Sequence, residues 1–232
     1  MFNFLGSYYG SMLILLPAFI LSIIAQFLVK STFAKYSKVK NSRGLNGAET
    51  AKLILRSNGI SDVQVEAISG SLTDHYDPSS KTLRLSEAVY NKNSVAALGV
   101  AAHEVGHAIQ HKKSYGPLVL RSTLVPIANI GSQIGPMLVF VGIFISSLSF
   151  LINAGIILFS AAVGFYLITL PVEFDASARA LRCLEEGNIL TYEELKGAKR
   201  VLQAAALTYV ASALSAVASL IRLILLSRRK ND

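Results

Sequence analysis

The chain has 232 residues, carries a formal net charge of +8, and is 52% hydrophobic with only 16% charged residues. That balance is too apolar for an ordinary soluble domain and places the chain among membrane proteins. The positive charge then fits basic loops beside an anionic leaflet better than a nucleic-acid surface, and the single cysteine, Cys183, excludes an internal disulfide and a cysteine metal cluster.

Residues 1–29 contain no charge, and 11–29 are long enough to cross the hydrocarbon core. A secretory leader would need a basic start and a small-residue cleavage site, and neither is convincing, so the segment reads as an uncleaved transmembrane anchor. Lys30, Lys35, Lys38, Lys40 and Arg43 follow at once. The positive-inside rule therefore predicts a cytoplasmic location for this end.

Residues 30–121 read as the cytoplasmic catalytic part. Asn46 followed by Glu49 forms a capping-box pattern, and Ser57-Asn58-Gly59 supplies a stop, which predicts a helix over 47–58. Alternation of apolar and polar residues predicts strands at 63–67 and 82–86; 72–76 is a further candidate strand, followed by a turn at Asp77-Pro78-Ser79-Ser80. The stretch 82–86 reads as an edge strand, on which an extended peptide could add through backbone hydrogen bonds, with Arg84 as a contact. His75 and Tyr76 lie in the polar run Thr73–Asp77. They are either substrate contacts or ordinary residues of a turn-rich loop.

The segment Ser94 to Lys112 holds three of the four histidines, in the pattern His103-Glu104-Val105-Gly106-His107. Residues four apart share one face of a helix, so His103 and His107 can both point a ring nitrogen at one metal ion. Glu104 sits one residue on, in reach of a water at that metal. N-cap candidates at 91–94, basic residues at 112 and 113 and Gly116-Pro117 bound the helix. Its apolar residues occur on nearly every face, which predicts burial, and Gly106 between the histidines predicts close approach of another backbone. His111 is one turn beyond His107, suited to the surface or to outer support of the site.

From Ser122 to Val172 there is again no charge. This predicts a transmembrane hairpin over 122–172, with spans near 135–151 and 154–170, a turn at 149–153, and breaks or kinks at Pro126 and Pro136. Pro171 suits the start of a helix that Gly187-Asn188 stops. Within 173–200, Glu173 is the first acidic residue after the histidine motif. It is either a third metal ligand or a carboxylate favoured by a helix N-terminus. Thr191 and Glu194 form a second capping box. It opens a helix whose uncharged part, with the basic tail of Arg228, Arg229 and Lys230, makes 201–232 a membrane helix and tail.

The segments LTDHYDP (72–78), LRLSEAVY (83–90), SVAALGVAAHEVGHAIQH (94–111) and LPVEFDASARAL (170–181) resemble the YugP-type family of membrane-bound neutral zinc metallopeptidases. With the apolar segments, the resemblance covers nearly the whole chain. It implies an α+β, mostly helical integral membrane protein whose small sheet and histidine-motif helix form a gluzincin-like domain. It also implies one Zn²⁺ per chain, with His103, His107 and Glu173 as ligands and Glu104 as general base. Related membrane peptidases place an Asp four residues past the ligand Glu. Here that place is Ser177, and Asp175 lies only two residues on, so the partners that orient the histidines are to be sought among Ser177, Asp175 and His111.

The expected function is a multi-pass membrane zinc endopeptidase with a cytoplasmic active site. Its partners are then a peptide or protein substrate, membrane-associated or not, and the lipid bilayer, without nucleic acid; the sequence leaves the oligomeric state open. An intramembrane site-2-type protease is one alternative, opposed by Glu87, Lys92, Lys112 and Lys113 around the motif helix. A non-catalytic zinc-stabilised scaffold is another, opposed by the intact Glu104.

Overall fold

The computed structural model describes residues 8–228; Arg229, Lys230 and the first part of the expected anchor lie outside them. In chain order the elements are α1 (Tyr8–Leu13), α2 (Leu16–Tyr36), α3 (Gly47–Ser57), β1 (Gln64–Ile68), β2 (His75–Asp77), β3 (Thr82–Ser86), α4 (Val95–Lys112), α5 (Gly116–Phe144), a 3₁₀ turn (Ser146–Leu148), α6 (Phe150–Glu186) and α7 (Tyr192–Arg228). Among the described residues, four helical stretches are long and apolar enough to cross a membrane: Gly10–Tyr36, Gly116–Phe144, Phe150–Glu186 and Tyr192–Arg228. The protein is therefore a mostly helical, multi-pass membrane protein with one small sheet. Its residues group into two compact units, one of 26–118 and 172–207, the other of the residues up to 25, 119–171 and those from 208 onward.

In the first of these units the local rules act one by one. Asn46 accepts from the Glu49 backbone N–H at 2.9 Å, and the Glu49 carboxylate accepts from the Asn46 N–H at 2.8 Å, so α3 starts on a full capping box. Its end is Asn58, with Gly59 at φ +65°, a backbone angle that glycine adopts without cost. Ser94 caps α4 by accepting from the Ala97 N–H at 3.2 Å.

The sheet has the order β1-β3-β2, with β1 parallel and β2 antiparallel to β3. This corrects the expectation for 82–86. β3 is the central strand, its ladder groups face two neighbours, and Leu83 and Leu85 are fully buried. An incoming peptide finds no free edge along the part of β3 that β1 and β2 cover. Beyond the end of β2, Asp74 takes over the edge, accepting from the Ser86 N–H at 2.7 Å and from the Ser86 hydroxyl at 2.9 Å. Burial pushes the Asp74 carboxyl above its ordinary value.

The core gathers Ile54, Leu83, Leu85, Val89, Leu98, Val105 and Leu184. Helix α4 is buried on nearly every side, as its apolar residues require. A Cβ at Gly106 would lie 2.5 Å from the Ala176 carbonyl oxygen. Only glycine lets α4 and α6 meet there, which accounts for a residue of poor helix propensity between the two histidines.

The other unit corrects three expectations about 122–172. The turn lies at 145–149, around the 3₁₀ residues, not at 149–153. Pro126 and Pro136 sit inside α5 and so do not break it, and Pro171 sits inside α6 rather than at a helix start. The physical reason is shared. In an apolar surround a coil strands several backbone groups, whereas a proline kept in a helix forfeits its own N–H. Gly155 serves packing: a Cβ there would meet the Gly135 carbonyl oxygen at 2.5 Å and Val139 Cγ2 at 2.8 Å. Helices α5 and α6 thus pack as a tight antiparallel pair on glycine contacts, with Val139, Phe159 and Ala162 in their core.

Candidate active site

Two elements bring the candidate ligands together. His103 and His107 project from the same face of α4, four residues apart. Glu173 comes from α6, three residues before Ala176, the residue that Gly106 admits. Ligand atoms of the three residues lie within 4.8 Å of one another. Glu173 Oε2 is 3.2 Å from His103 Nε2 and 3.6 Å from His107 Nε2, and the imidazole rings stand edge to face at 86°. Glu173 is only 1% exposed, a costly place for a carboxylate without compensating charge or hydrogen bonds. The cluster can hold a metal ion. Of the two readings of Glu173, this placement favours the ligand, because a carboxylate serving only a helix N-terminus would not converge with two imidazoles in mid-helix.

The remaining ring nitrogens are also held. His103 Nδ1 lies 3.1 Å from Ser177 Oγ. His107 Nδ1 lies 3.0 Å from Gln110 Oε1. Gln110 is fully buried, and its amide donates to the Val172 carbonyl at 2.8 Å and to Asp175 Oδ2 at 2.8 Å. Both amide hydrogens are used, so the oxygen must face His107. A proton on each Nδ1 donated to Ser177 and Gln110 leaves the two Nε2 lone pairs for a metal. Asp175 also accepts from Arg179 Nε at 2.6 Å, and the Arg179 guanidinium lies 5.7 Å from the centre of the Tyr115 ring. Asp175 therefore acts through Gln110 rather than on a histidine directly.

The family described as “Putative neutral zinc metallopeptidase” matches residues 11–228. The chain belongs to this family. It is also 52% identical over 212 residues to “Putative membrane protease YugP” of Bacillus subtilis (strain 168), an alignment that covers 91% of this chain and 94% of that protein. No solved structure matches. With the family, this relative and the metal-competent cluster together, the protein is a membrane-associated zinc-dependent metallopeptidase.

Glu104 is 8% exposed, and no side chain among the described residues hydrogen-bonds to its carboxylate. The other residues singled out from the sequence lie elsewhere in the same unit. His111 is exposed, and its Nδ1 lies 2.8 Å from Tyr76 Oη, so it is not one of the clustered ligands. These two line a pocket of about 330 Å³ with Ile60, Val63 and Ala108, one helical turn beyond His107. Burial raises the Tyr76 hydroxyl above its ordinary value. His75 Nδ1 lies 2.8 Å from the Thr73 carbonyl oxygen, a contact within its own loop. Arg84 is engaged by Asp77 at 3.4 Å and Glu66 at 3.7 Å across the sheet.

Sequence reasoning missed Gln110. The signal was present in its spacing, three residues after His107 and seven after His103, which places a polar residue on the motif face of a buried helix.

Proposed function

We propose that the protein is a zinc endopeptidase in which His103, His107 and Glu173 hold one Zn²⁺ and Glu104 is the general base. The observation that carries this reading is the convergence of two Nε2 atoms and a buried carboxylate within 4.8 Å, next in sequence to the Glu104 carboxylate, to which no side chain among the described residues hydrogen-bonds. Two neutral imidazoles and one carboxylate are the donor set of catalytic zinc, which leaves a position open, and their other nitrogens lie within hydrogen-bond reach of Ser177 and Gln110. When bound, zinc supplies Lewis acidity to a water and to the scissile carbonyl. Glu104 takes the proton of the attacking water and delivers it to the departing amine. Gln110 and Ser177 keep the imidazoles aimed, and Tyr76 and His111 offer a pocket wall and a polar rim to a substrate side chain.

The experiment is Glu104→Gln in the full chain. Zinc content by elemental analysis stays at one per chain, while peptide cleavage falls by at least about 10²-fold. Zinc lost along with activity makes Glu104 structural, and full activity ends the mechanism.

The division of labour follows the same reading. Residues 1–29 anchor the chain; 30–121 and 173–200 build the catalytic part; 122–172 form a hairpin; 201–232 form the last membrane helix and tail. Because His107 and Glu173 meet, the chain crosses the bilayer an even number of times between them, and α5 with α6 is one such pair. The basic residues of both flanks favour the cytoplasmic side for the site, within reach of soluble proteins and of segments emerging from the bilayer. Cys183 is a poor probe of this, being half-buried with its sulfur 3.7 Å from Asn58 Nδ2. Lys40 is exposed. A Lys40→Cys variant should resist a membrane-impermeant thiol reagent in intact cells and react in lysed membranes. Labelling from outside reverses the orientation.

A further inference from the structure

Away from the metal site, the part of α2 from Leu28 to Tyr36 and the part of α7 from Arg200 to Leu207 enclose a groove of about 440 Å³. On α2 it is lined by Leu28, Thr32 and Lys35, and on α7 by Leu207, Gln203 and Arg200. The spacings place each trio on one helical face. Both faces follow the same chemical order along the groove, from aliphatic through neutral polar to cationic. The two cationic ends are level, because Arg200 Nη1 donates to Tyr36 Oη at 3.1 Å and Lys35 Nζ lies 5.5 Å from the centre of the Tyr36 ring. Between Leu28 and Lys35 a helix rises about 10 Å, enough to pass from a lipid headgroup into its acyl chains.

The cations at this rim are not neutralised. Lys196, a turn earlier on α7, pairs with Glu193 at 2.9 Å. Neither Lys35 nor Arg200 has a carboxylate within 4 Å among the described residues. Both helices belong to stretches apolar enough to cross the bilayer, which suits the aliphatic end of the groove to lipid and its cationic end to the bilayer surface. Two unpaired cations above a polar step and an aliphatic floor complement a phosphodiester above its glycerol esters and chains.

We propose that this groove binds one anionic phospholipid. Its phosphate sits between Lys35 and Arg200, its ester region beside Thr32 and Gln203, and one acyl chain along Leu28 and Leu207. Tyr36 holds Arg200 in place at the rim.

The test uses the full chain in dodecyl maltoside micelles, titrated with phosphatidylglycerol or phosphatidylcholine and read by native mass spectrometry. One phosphatidylglycerol per chain should be retained in preference to phosphatidylcholine, by on the order of tenfold or more for two cations. The double variant Lys35→Gln/Arg200→Gln should bring retention down to the phosphatidylcholine level. A control with the same charge change outside the groove, Lys196→Gln/Lys199→Gln, should leave it intact. Gln203→Trp, which fills the groove without altering charge, should also abolish preferential retention, so the outcome does not depend on how well the double variant folds. Equal retention of the two lipids overturns the proposal, as does phosphatidylglycerol held by the double variant or by Gln203→Trp. A loss in the control equal to that in the double variant overturns it too, by showing only the attraction of a basic protein. Displacement of the lipid by millimolar inorganic phosphate overturns the lipid assignment in favour of a free anion.

Discussion

Helix α4 and the α5–α6 hairpin use glycine in the same way, and their sequences are legible to very different degrees. In each, a glycine lets a neighbouring backbone come so close that an added Cβ would stand 2.5 Å from a carbonyl oxygen: Ala176 for Gly106, and Gly135 for Gly155. Yet α4 has a serine cap, a marked end and paired polar side chains, whereas the hairpin has prolines within it and apolar residues nearly throughout. Where polar groups need partners, the sequence must name those partners close by. Where lipid surrounds the chain, the backbone must satisfy itself, and turn-forming residues lose their authority to end a helix.

Substituting these two glycines separates what each approach serves. Gly106→Val drives a branched side chain into the Ala176 carbonyl and should move α6 off α4, at a cost of about 3 kcal/mol or more in stability. Because Glu173 lies on that stretch of α6, zinc retention on dialysis should be lost with it. Gly155→Ala should cost about 1–3 kcal/mol in thermal unfolding of the hairpin while zinc stays at wild-type stoichiometry. Equal zinc loss in both would mean that the hairpin, not the local helix contact, holds the ligands in register.

A smaller effect is expected at Gln110. Gln110→Ala leaves the His107 Nδ1 proton without its acceptor and strips a donor from Asp175. Metal affinity, measured by competition with a chromogenic chelator, should weaken about 10–100-fold. With Co²⁺ substituted for zinc, the visible spectrum should shift because the His107 ring is no longer fixed. Gln110→Glu restores an acceptor and should recover affinity more fully than Gln110→Leu, an apolar side chain of similar size. Equal affinity for all three would reduce Gln110 to a packing residue.

The site's legibility in the sequence follows the same division. His103, Glu104 and His107 are readable because one helix carries them at a spacing fixed by its own period. Glu173 is readable only by asking which later carboxylate could arrive, since its partners are distant in sequence. The spacing of Gln110 marks a polar residue on the motif face, but an amide on a buried helix does not announce which groups it will satisfy. β1 and β3 are placed by alternation, whereas β2 begins at His75 rather than at residue 72; alternation cannot give strand order, and β3 lies at the centre because parallel β1 and antiparallel β2 both join it. The prolines at 126, 136 and 171 mislead because rules learned for water-exposed helices assume that a broken helix can turn to water for its hydrogen bonds.

The smallest effect should come from the turn between β2 and β3, where the polar unit meets water. Asp77 accepts from the Ser80 hydroxyl at 2.6 Å, from the Ser79 N–H at 2.9 Å and, more weakly, from Arg84 at 3.4 Å. The Ser80 and Ser79 hydrogen bonds hold its carboxyl down at about 2, against an ordinary 3.8. A depressed folded-state value means that the folded turn favours the ionised form. Its contribution is therefore fully present above pH 3.8 and is lost as pH falls through about 2. The carboxylate is partly exposed, so global stability should barely register the change, and the readout must be local. The Ser79 amide proton should titrate with a midpoint near 2 in the wild-type chain and lose that titration in Asp77→Asn. A midpoint near 3.8 would mean that the turn does not hold its aspartate in solution, and that the hairpin's register rests on the β2–β3 ladder alone.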